Sequence, residues 1–176
     1  MITIQNMSFA YKKHDVFRDL SLNVSKGGIY GLLGLNGSGK STLLYLMCGL
    51  LRAKSGSVMY KGKEVQKRLP SVLSDMFIVP EEFELPNLTL SKYVEINSKF
   101  YPNFSMEMLD KSLAAFAMDK ETNLAESSMG QRKKVFLCFA LATNTSLLLM
   151  DEPTNGLDIP SKSMFRKAVA ECMTDE

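Results

Sequence analysis

With 176 residues, the chain is long enough to bury one sizeable core and falls within the range of a single domain. Its 21 Lys+Arg face 19 Asp+Glu, a net charge of +2, so no large basic field argues for a nucleic-acid partner, and none is expected. No apolar run approaches the roughly 18 residues a membrane-spanning helix needs, and the N-terminus lacks a charged head followed by a long apolar segment.

The first quarter reads as β-rich. Ile2-Thr3-Ile4, Met7 to Tyr11 and Leu20 to Val24 alternate over short stretches, broken by the polar segment Lys12 to Asp15 and by Lys26-Gly27-Gly28. The apolar run Ile29-Tyr30-Gly31-Leu32-Leu33 predicts a buried strand, and a glycine-rich segment, Gly34 to Thr42, follows it directly. Ser41 to Leu51 then reads as a strongly apolar helix that Gly49 helps to end. Ser57 to Tyr60, followed by Lys61-Gly62-Lys63, is a strand entering a tight turn. Met76 to Val79 is a short apolar run stopped by Pro80, which suits a buried strand.

From Thr89 to about Thr143 the spacing becomes helical. Leu90, Tyr93, Val94 and Asn97 form one stripe and Met106, Leu109, Leu113 and Phe116 another, with Pro102-Asn103 between them. Asn123 to Gly130 is polar and loop-like, and Gln131 to Thr143 resumes as a helix. Ser146 to Met150 is an apolar strand ending in Asp151-Glu152-Pro153. The cysteines, at 48, 138 and 172, lie far apart in apolar stretches and read as small buried hydrophobes in a reducing compartment. The basic runs Lys61-Gly62-Lys63 and Arg132-Lys133-Lys134 are explained as well by solvated faces as by partners, and His14, the single histidine, reads as a solvated loop residue. The chain is expected to be soluble on its own and cytoplasmic.

Gly34-Leu35-Asn36-Gly37-Ser38-Gly39-Lys40-Ser41-Thr42 has the residues of a phosphate-binding loop. Its glycines let successive N–H groups turn inward around a polyphosphate, and the following helix adds its positive dipole end. Lys40 would reach the β- and γ-phosphates, and the Ser41 hydroxyl would hold Mg²⁺. Downstream, an apolar strand buried on both faces places Asp151 and Glu152 at its C-terminal end, where α/β sheets bind ligands. Asp151 would bind Mg²⁺ through water beside Ser41, and Glu152 would accept a proton from the attacking water.

These segments together resemble the ATP-binding domain of ATP-binding cassette (ABC) transporters. Ser127-Ser128-Met129-Gly130-Gln131 resembles that family's signature motif, with Met129 where its first glycine usually stands. The resemblance implies that Ser128 and Gly130 contact the γ-phosphate bound by a second subunit, while Ser128 also serves as a helix N-cap. Thr154-Asn155-Gly156-Leu157-Asp158 resembles the D-loop that crosses to that subunit, and Tyr11 the aromatic that stacks on adenine. Glu81 stands where the family usually has a glutamine, and can approach Mg²⁺ or the attacking water.

The resemblance implies an α/β fold: a P-loop NTPase core with a mostly parallel sheet, an N-terminal antiparallel β portion and an inserted helical subdomain. The expected organisation is one ABC-type ATPase domain over 1–176, with 1–81 and 145–176 as the core and 82–144 as the helical subdomain. The family's switch histidine and last core strands are expected beyond Glu176. The implied nucleotide set is Tyr11, Gly34, Asn36, Gly37, Ser38, Gly39, Lys40, Ser41, Thr42, Ser128, Gly130, Gln131 and Asp158. Lys40, Glu81 and Glu152 are implied in catalysis, and Ser41, Glu81 and Asp151 in holding the metal. ATP and Mg²⁺ are the implied cofactors, and a second ABC ATPase subunit and transmembrane permease subunits the implied partners. Localisation would then be peripheral, on the inner face of the membrane. Pro86 to Leu90 resembles bacterial exporter-type ATPases; Phe83, Leu85 and Leu88 are explained by a groove for a permease helix or by burial in the helical subdomain. Two alternatives remain, a soluble ABC-type ATPase acting on a ribosome or nucleic acid, and a nucleotide-gated module that does not hydrolyse.

Overall fold

Alternation over the first 24 residues produces two long strands, β1 (Ile2–Tyr11) and β2 (His14–Val24), paired antiparallel in a computed structural model that describes residues 1–171. With β3 (Ser55–Tyr60) and β4 (Lys63–Glu64) they form a sheet of order β2-β1-β3-β4. Ile2, Ile4, Met7 and Phe9 are buried on β1, and Val58 and Tyr60 on β3, so one face of this sheet carries the core of the first unit, Met1–Leu73. The β1–β2 register slips between Ile4 and Met7, where Asn6 has φ 46°. Across from this bulge on β3, a Cβ on Gly56 would lie 2.3 Å from the Asn6 carbonyl oxygen, which accounts for glycine there. Of the polar segment expected to separate them, His14 and Asp15 join β2, and Lys12 and Lys13 alone form the turn. His14 is therefore the first residue of β2 rather than a loop residue, though it is exposed as expected.

Helix α1 (Lys40–Met47) buries Thr42, Leu43, Leu46 and Met47. It stops at Gly49, which takes φ 72°, while the Leu50 N–H donates back to the Tyr45 carbonyl at 2.9 Å. That pairing satisfies an end carbonyl, as expected for a glycine C-terminal stop. A short helix, α2 (Pro70–Leu73), closes the unit.

The run Ile29 to Leu33 departs from expectation. It forms no strand, and Ile29, Tyr30, Leu32 and Leu33 are exposed, Leu33 at 94%. The sheet of the first unit ends at β2 on one side and β4 on the other, and the segment pairs with neither edge. Without a ladder partner an apolar run gains neither strand hydrogen bonds nor burial.

The second unit begins at Ser74. Here β5 (Met76–Val79) and β6 (Leu147–Met150) pair in parallel, Met76 opposite Leu147 through Val79 opposite Met150. Both are apolar runs of four, as a strand packed on its two faces requires. Around them lie α3 (Leu90–Asn97), α4 (Met106–Ala115), α5 (Met129–Ala142) and α6 (Ile159–Glu171). Thr89 and Ser105 cap α3 and α4, each hydroxyl accepting from the amide three residues on. Every residue of α5 from Val135 to Ala142 is buried, and Phe139 packs against Phe77, Tyr93, Tyr101 and Phe104. Burial pushes the Tyr93 hydroxyl up to about 12.

Cys48 and Cys138 are buried free thiols, both with pKa raised by desolvation, as small hydrophobes should be; Cys172 lies outside the described residues. Phe83 and Leu85 pack, partly buried, against the core of the second unit. Among the described residues no helix is long and apolar enough to cross a membrane.

Candidate nucleotide-binding site

In the first unit, the loop and the start of α1 form a cradle open to an anion. Gly39, the N-cap of α1, sits in the left-handed region at φ 95° and has no side chain to occupy the helix's first N–H groups. A Cβ there would meet Val16 Cγ1 at 2.7 Å and Phe17 Cζ at 2.9 Å, so the loop backs directly on β2. Gly37 also has positive φ, 79°, and turns the chain beside the Ser38 N–H, which donates to the Leu35 carbonyl at 3.1 Å. A Cβ on Gly34 would lie 2.7 Å from Ser38 Oγ. The Lys40 ammonium reaches back over the loop and donates to the Gly34 and Leu35 carbonyls at 3.0 and 3.2 Å. Asn36 and Ser38 are exposed on the same loop. Uncapped N–H groups, a helix N-terminus and an ammonium held over the loop together suit a polyphosphate.

Tyr11 comes to the same helix end. Its hydroxyl lies 3.4 Å from Thr42 Oγ1, and its ring, 47% exposed, stands edge-on to Phe9 at 4.9 Å. Strand β1 thus places an accessible aromatic at the mouth of the loop.

In the second unit, the parallel pair delivers Asp151 and Glu152. The Asp151 N–H extends the ladder by donating to the Val79 carbonyl at 2.8 Å, and Asp151 is buried at 4% exposure. Glu152 is exposed and takes φ 43°, a conformation that strains a non-glycine residue and recurs at working sites. Its carbonyl accepts from the Asn155 N–H at 3.0 Å, closing the turn that leads to α6. Glu81, just past β5, is exposed, and its Oε1 accepts from Asn155 Nδ2 at 2.9 Å.

The start of α5 carries a reciprocal cap. Ser128 Oγ accepts from the Gln131 N–H at 3.2 Å, and Gln131 Oε1 accepts from the Ser128 N–H at 2.9 Å. The expected N-cap role of Ser128 is therefore observed. A Cβ on Gly130 would approach the Gly156 carbonyl to 3.3 Å, so this helix end and the turn after Glu152 lie against each other. Asp158 accepts from the Ser161 N–H at 2.7 Å and pairs with Lys134 at 3.3 Å. Ser161 beside it, donating its amide, with help from Lys134, holds its carboxyl down to about 2.

Lys133 corrects the reading of Arg132-Lys133-Lys134 as a solvated face: it is only 3% exposed. Its Nζ donates to the Glu81 and Pro80 carbonyls at 3.0 and 3.4 Å and lies 5.5 Å from the centre of the Phe83 ring. Burial pushes its ammonium below the usual lysine range, opposed by the carboxylates of Glu81, Asp151 and Glu152. The signal was present in the sequence: Lys133 precedes Phe136 and Leu137 by three and four residues, on the buried face of the helix. Asn155, equally unexpected, carried no such signal.

Ser41 in the first unit, and Glu81 and Asp151 in the second, each carry the hard oxygen donors that Mg²⁺ selects. Among the described residues no cluster of three or more His, Cys, Asp or Glu could hold a metal ion alone.

Comparison with known proteins agrees with this chemistry. The chain is 32% identical over 177 residues to the ABC transporter ATP-binding protein YtrB of Bacillus subtilis (strain 168), spanning all of this chain but 59% of that protein. It is 33% identical over 172 residues to the iron(3+)-hydroxamate import ATP-binding protein FhuC of the same organism, covering 90% of this chain and 63% of FhuC. To the SkfA peptide export ATP-binding protein SkfE, also of Bacillus subtilis, it is 30% identical, covering 92% of this chain and 70% of SkfE. A solved ATP-binding subunit of an ABC transporter shares the fold with a TM-score of 0.88 at 24% identity, over 99% of this chain and 75% of that one. A putative ABC transporter ATP-binding protein from Pyrococcus furiosus superimposes with a TM-score of 0.81 at 25% identity, over 99% and 86% of the two chains. Residues 17–155, from β2 through the acidic strand end to Asn155, match the ABC transporter family, and the chain belongs to it.

Proposed function

We propose that the chain binds ATP with Mg²⁺, hydrolyses it, and powers an ABC membrane transporter through ATP-driven closure of two such domains. The observation that carries this reading is the uncapped N-terminus of α1 under the Lys40 ammonium, a cradle for phosphate and little else. Tyr11 offers its exposed ring to adenine; Gly34, Asn36, Gly37, Ser38, Gly39 and Thr42 line or support the loop. Lys40 neutralises the β- and γ-phosphates and the Ser41 hydroxyl is assigned to Mg²⁺; in the second unit the family resemblance assigns Asp151 and Glu81 to the metal. When bound, the ion draws charge from the phosphate oxygens. Glu152, exposed at the strand end, takes the proton of the attacking water.

Ser128, Gly130, Gln131 and Asp158 are assigned to the nucleotide of a second ABC ATPase subunit. With Ser128 and Gln131 already capping α5, its N-terminal amides are held in a fixed direction for that contact. The domain arrangement that suits this role is a core of 1–81 and 145–176 with a helical subdomain at 82–144. Permease subunits would hold the protein at the cytoplasmic face of the membrane. Two experiments test the reading: titration with ATP and Mg²⁺, and copurification with the permease followed by ATP turnover. Absence of nucleotide binding by the folded protein sinks it.

A further inference from the structure

The loop after β5 is tied at three points to two other segments of its unit. Lys133 Nζ donates to two successive carbonyls of the loop, Pro80 at 3.4 Å and Glu81 at 3.0 Å, and packs over the Phe83 ring. Asn155 Nδ2 donates to the Glu81 carboxylate at 2.9 Å. One tie comes from α5, two residues beyond Gln131, and the other from the turn between β6 and α6. We propose that Lys133 and Asn155 are positioning residues for Glu81, the first fixing its backbone and the second its carboxylate, so that both segments set where this acid stands.

A buried ammonium is costly unless its donors are used, and backbone carbonyls satisfy it without neutralising it. Its charge stays available to the carboxylates around it. A lysine whose only task was filling space would be replaced at less cost by methionine. The chemistry of the other tie is equally specific. An exposed glutamate normally samples several rotamers, whereas the amide of Asn155 holds one oxygen of Glu81 and can follow the turn that carries it. Any displacement of residues 152–158 therefore pulls on Glu81 directly. This inference rests on the proposed ATPase reading for its catalytic consequence, and on the geometry alone for its structural one.

Two measurements separate these consequences. In nucleotide-free protein, the amide order parameters of residues 81–85, read by NMR relaxation, are expected to fall from about 0.85 toward about 0.6 in Lys133→Met, with Lys133→Arg largely restoring them. If Lys133→Met does not fold, Asn155→Ala, a change at an exposed site, gives the second reading: lower order at Glu81 supports the tie and unchanged order overturns it. In ATP turnover, Asn155→Asp sets two carboxylates against each other and should lower kcat roughly tenfold while changing KM for ATP less than about twofold. Asn155→Gln keeps an amide donor for the Glu81 carboxylate and should retain most of the wild-type kcat. Wild-type kcat in Asn155→Asp, or an equal loss in Asn155→Gln, overturns the proposal. Should the wild-type protein bind ATP without turning it over, the ATPase reading fails, and the relaxation data still decide whether Lys133 and Asn155 hold the loop.

Discussion

Ser128 and Gln131 satisfy each other at the start of α5, hydroxyl to amide at 3.2 Å and amide to side-chain carbonyl at 2.9 Å. Since the same serine is proposed to face a second subunit's nucleotide, its structural and functional roles must be separated. Ser128→Ala should lower stability by about 1 kcal/mol in urea unfolding, while Ser128→Asp, itself a good cap, should not. Both should leave monomer ATP affinity nearly unchanged. Only Ser128→Asp sets a charge against the partner's γ-phosphate, so it should block ATP-driven dimerisation, read by light scattering. Dimerisation that survives this substitution would remove Ser128 from the trans site.

Lys40→Ala removes the ammonium aimed at the β- and γ-phosphates, together with its bonds to the Gly34 and Leu35 carbonyls. ATP affinity should fall about 100-fold or more in calorimetric titration, a loss of roughly 2.7 kcal/mol. Those carbonyls belong to an exposed loop and can turn to water, so circular dichroism should be unchanged.

What the sequence made legible was local. Strands β1, β5 and β6, the glycine stop at Gly49 and the cap at Ser128 follow from alternation, apolar runs and side-chain chemistry acting within a few residues. The turn of the glycine-rich loop before α1 was legible because glycines at fixed spacing encode backbone conformations directly, as the positive φ of Gly37 and Gly39 reflects. Other features depend on partners distant in the chain. The Ile29–Leu33 run has a strand's composition, yet a strand needs a neighbour, and composition does not name one. Lys133 looked solvated because two basic residues flank it; its spacing to Phe136 and Leu137 pointed inward, but its partners, the Pro80 and Glu81 carbonyls, lie 53 and 52 positions away and could not be read from the sequence. Asn155 was hidden in a turn whose residues are common to many turns, and its bond to Glu81 spans 74 positions.

Gly56 tests the fold of the first unit apart from any chemistry. At φ 75°, with a Cβ position 2.3 Å from the Asn6 carbonyl oxygen, it admits no side chain unless the bulge in β1 moves. Gly56→Ala should therefore destabilise by about 2 to 4 kcal/mol, from unfavourable φ and from strain in the β1–β3 ladder. Denaturant unfolding measures it; a change within about 0.5 kcal/mol would mean that the bulge yields freely.

Asp158 gives a pH dependence of known sign. Ser161, through its amide, and then Lys134 stabilise its ionised form, lowering its pKa from 3.8 to about 2. A depressed carboxyl contributes stability in full above its unfolded value and loses it as the pH falls through its folded one. The stability difference between wild type and Asp158→Ala should thus be constant from about pH 7 to 5 and shrink below about pH 4. Comparison of urea midpoints across that range checks it. A difference that instead grew toward acid pH would contradict the bonding described for this carboxylate.

Glu152 combines a strained backbone with the proposed general base. Glu152→Gln preserves the size and the φ of 43°, so stability and ATP affinity should stay within about twofold of wild type. Turnover should drop roughly 10²- to 10⁴-fold, because an amide can orient a water without accepting its proton. Glu152→Gly makes a sharper comparison. Glycine adopts positive φ without a Cβ clash, so this variant should gain up to about 1 kcal/mol in denaturant unfolding while hydrolysis falls at least as far as in Glu152→Gln. Opposite changes in the two measurements would show that the chain tolerates strain at the strand end for the sake of a carboxylate. Phosphate release at saturating ATP, measured beside the urea midpoints, decides the matter: wild-type turnover in either variant excludes Glu152 as the base.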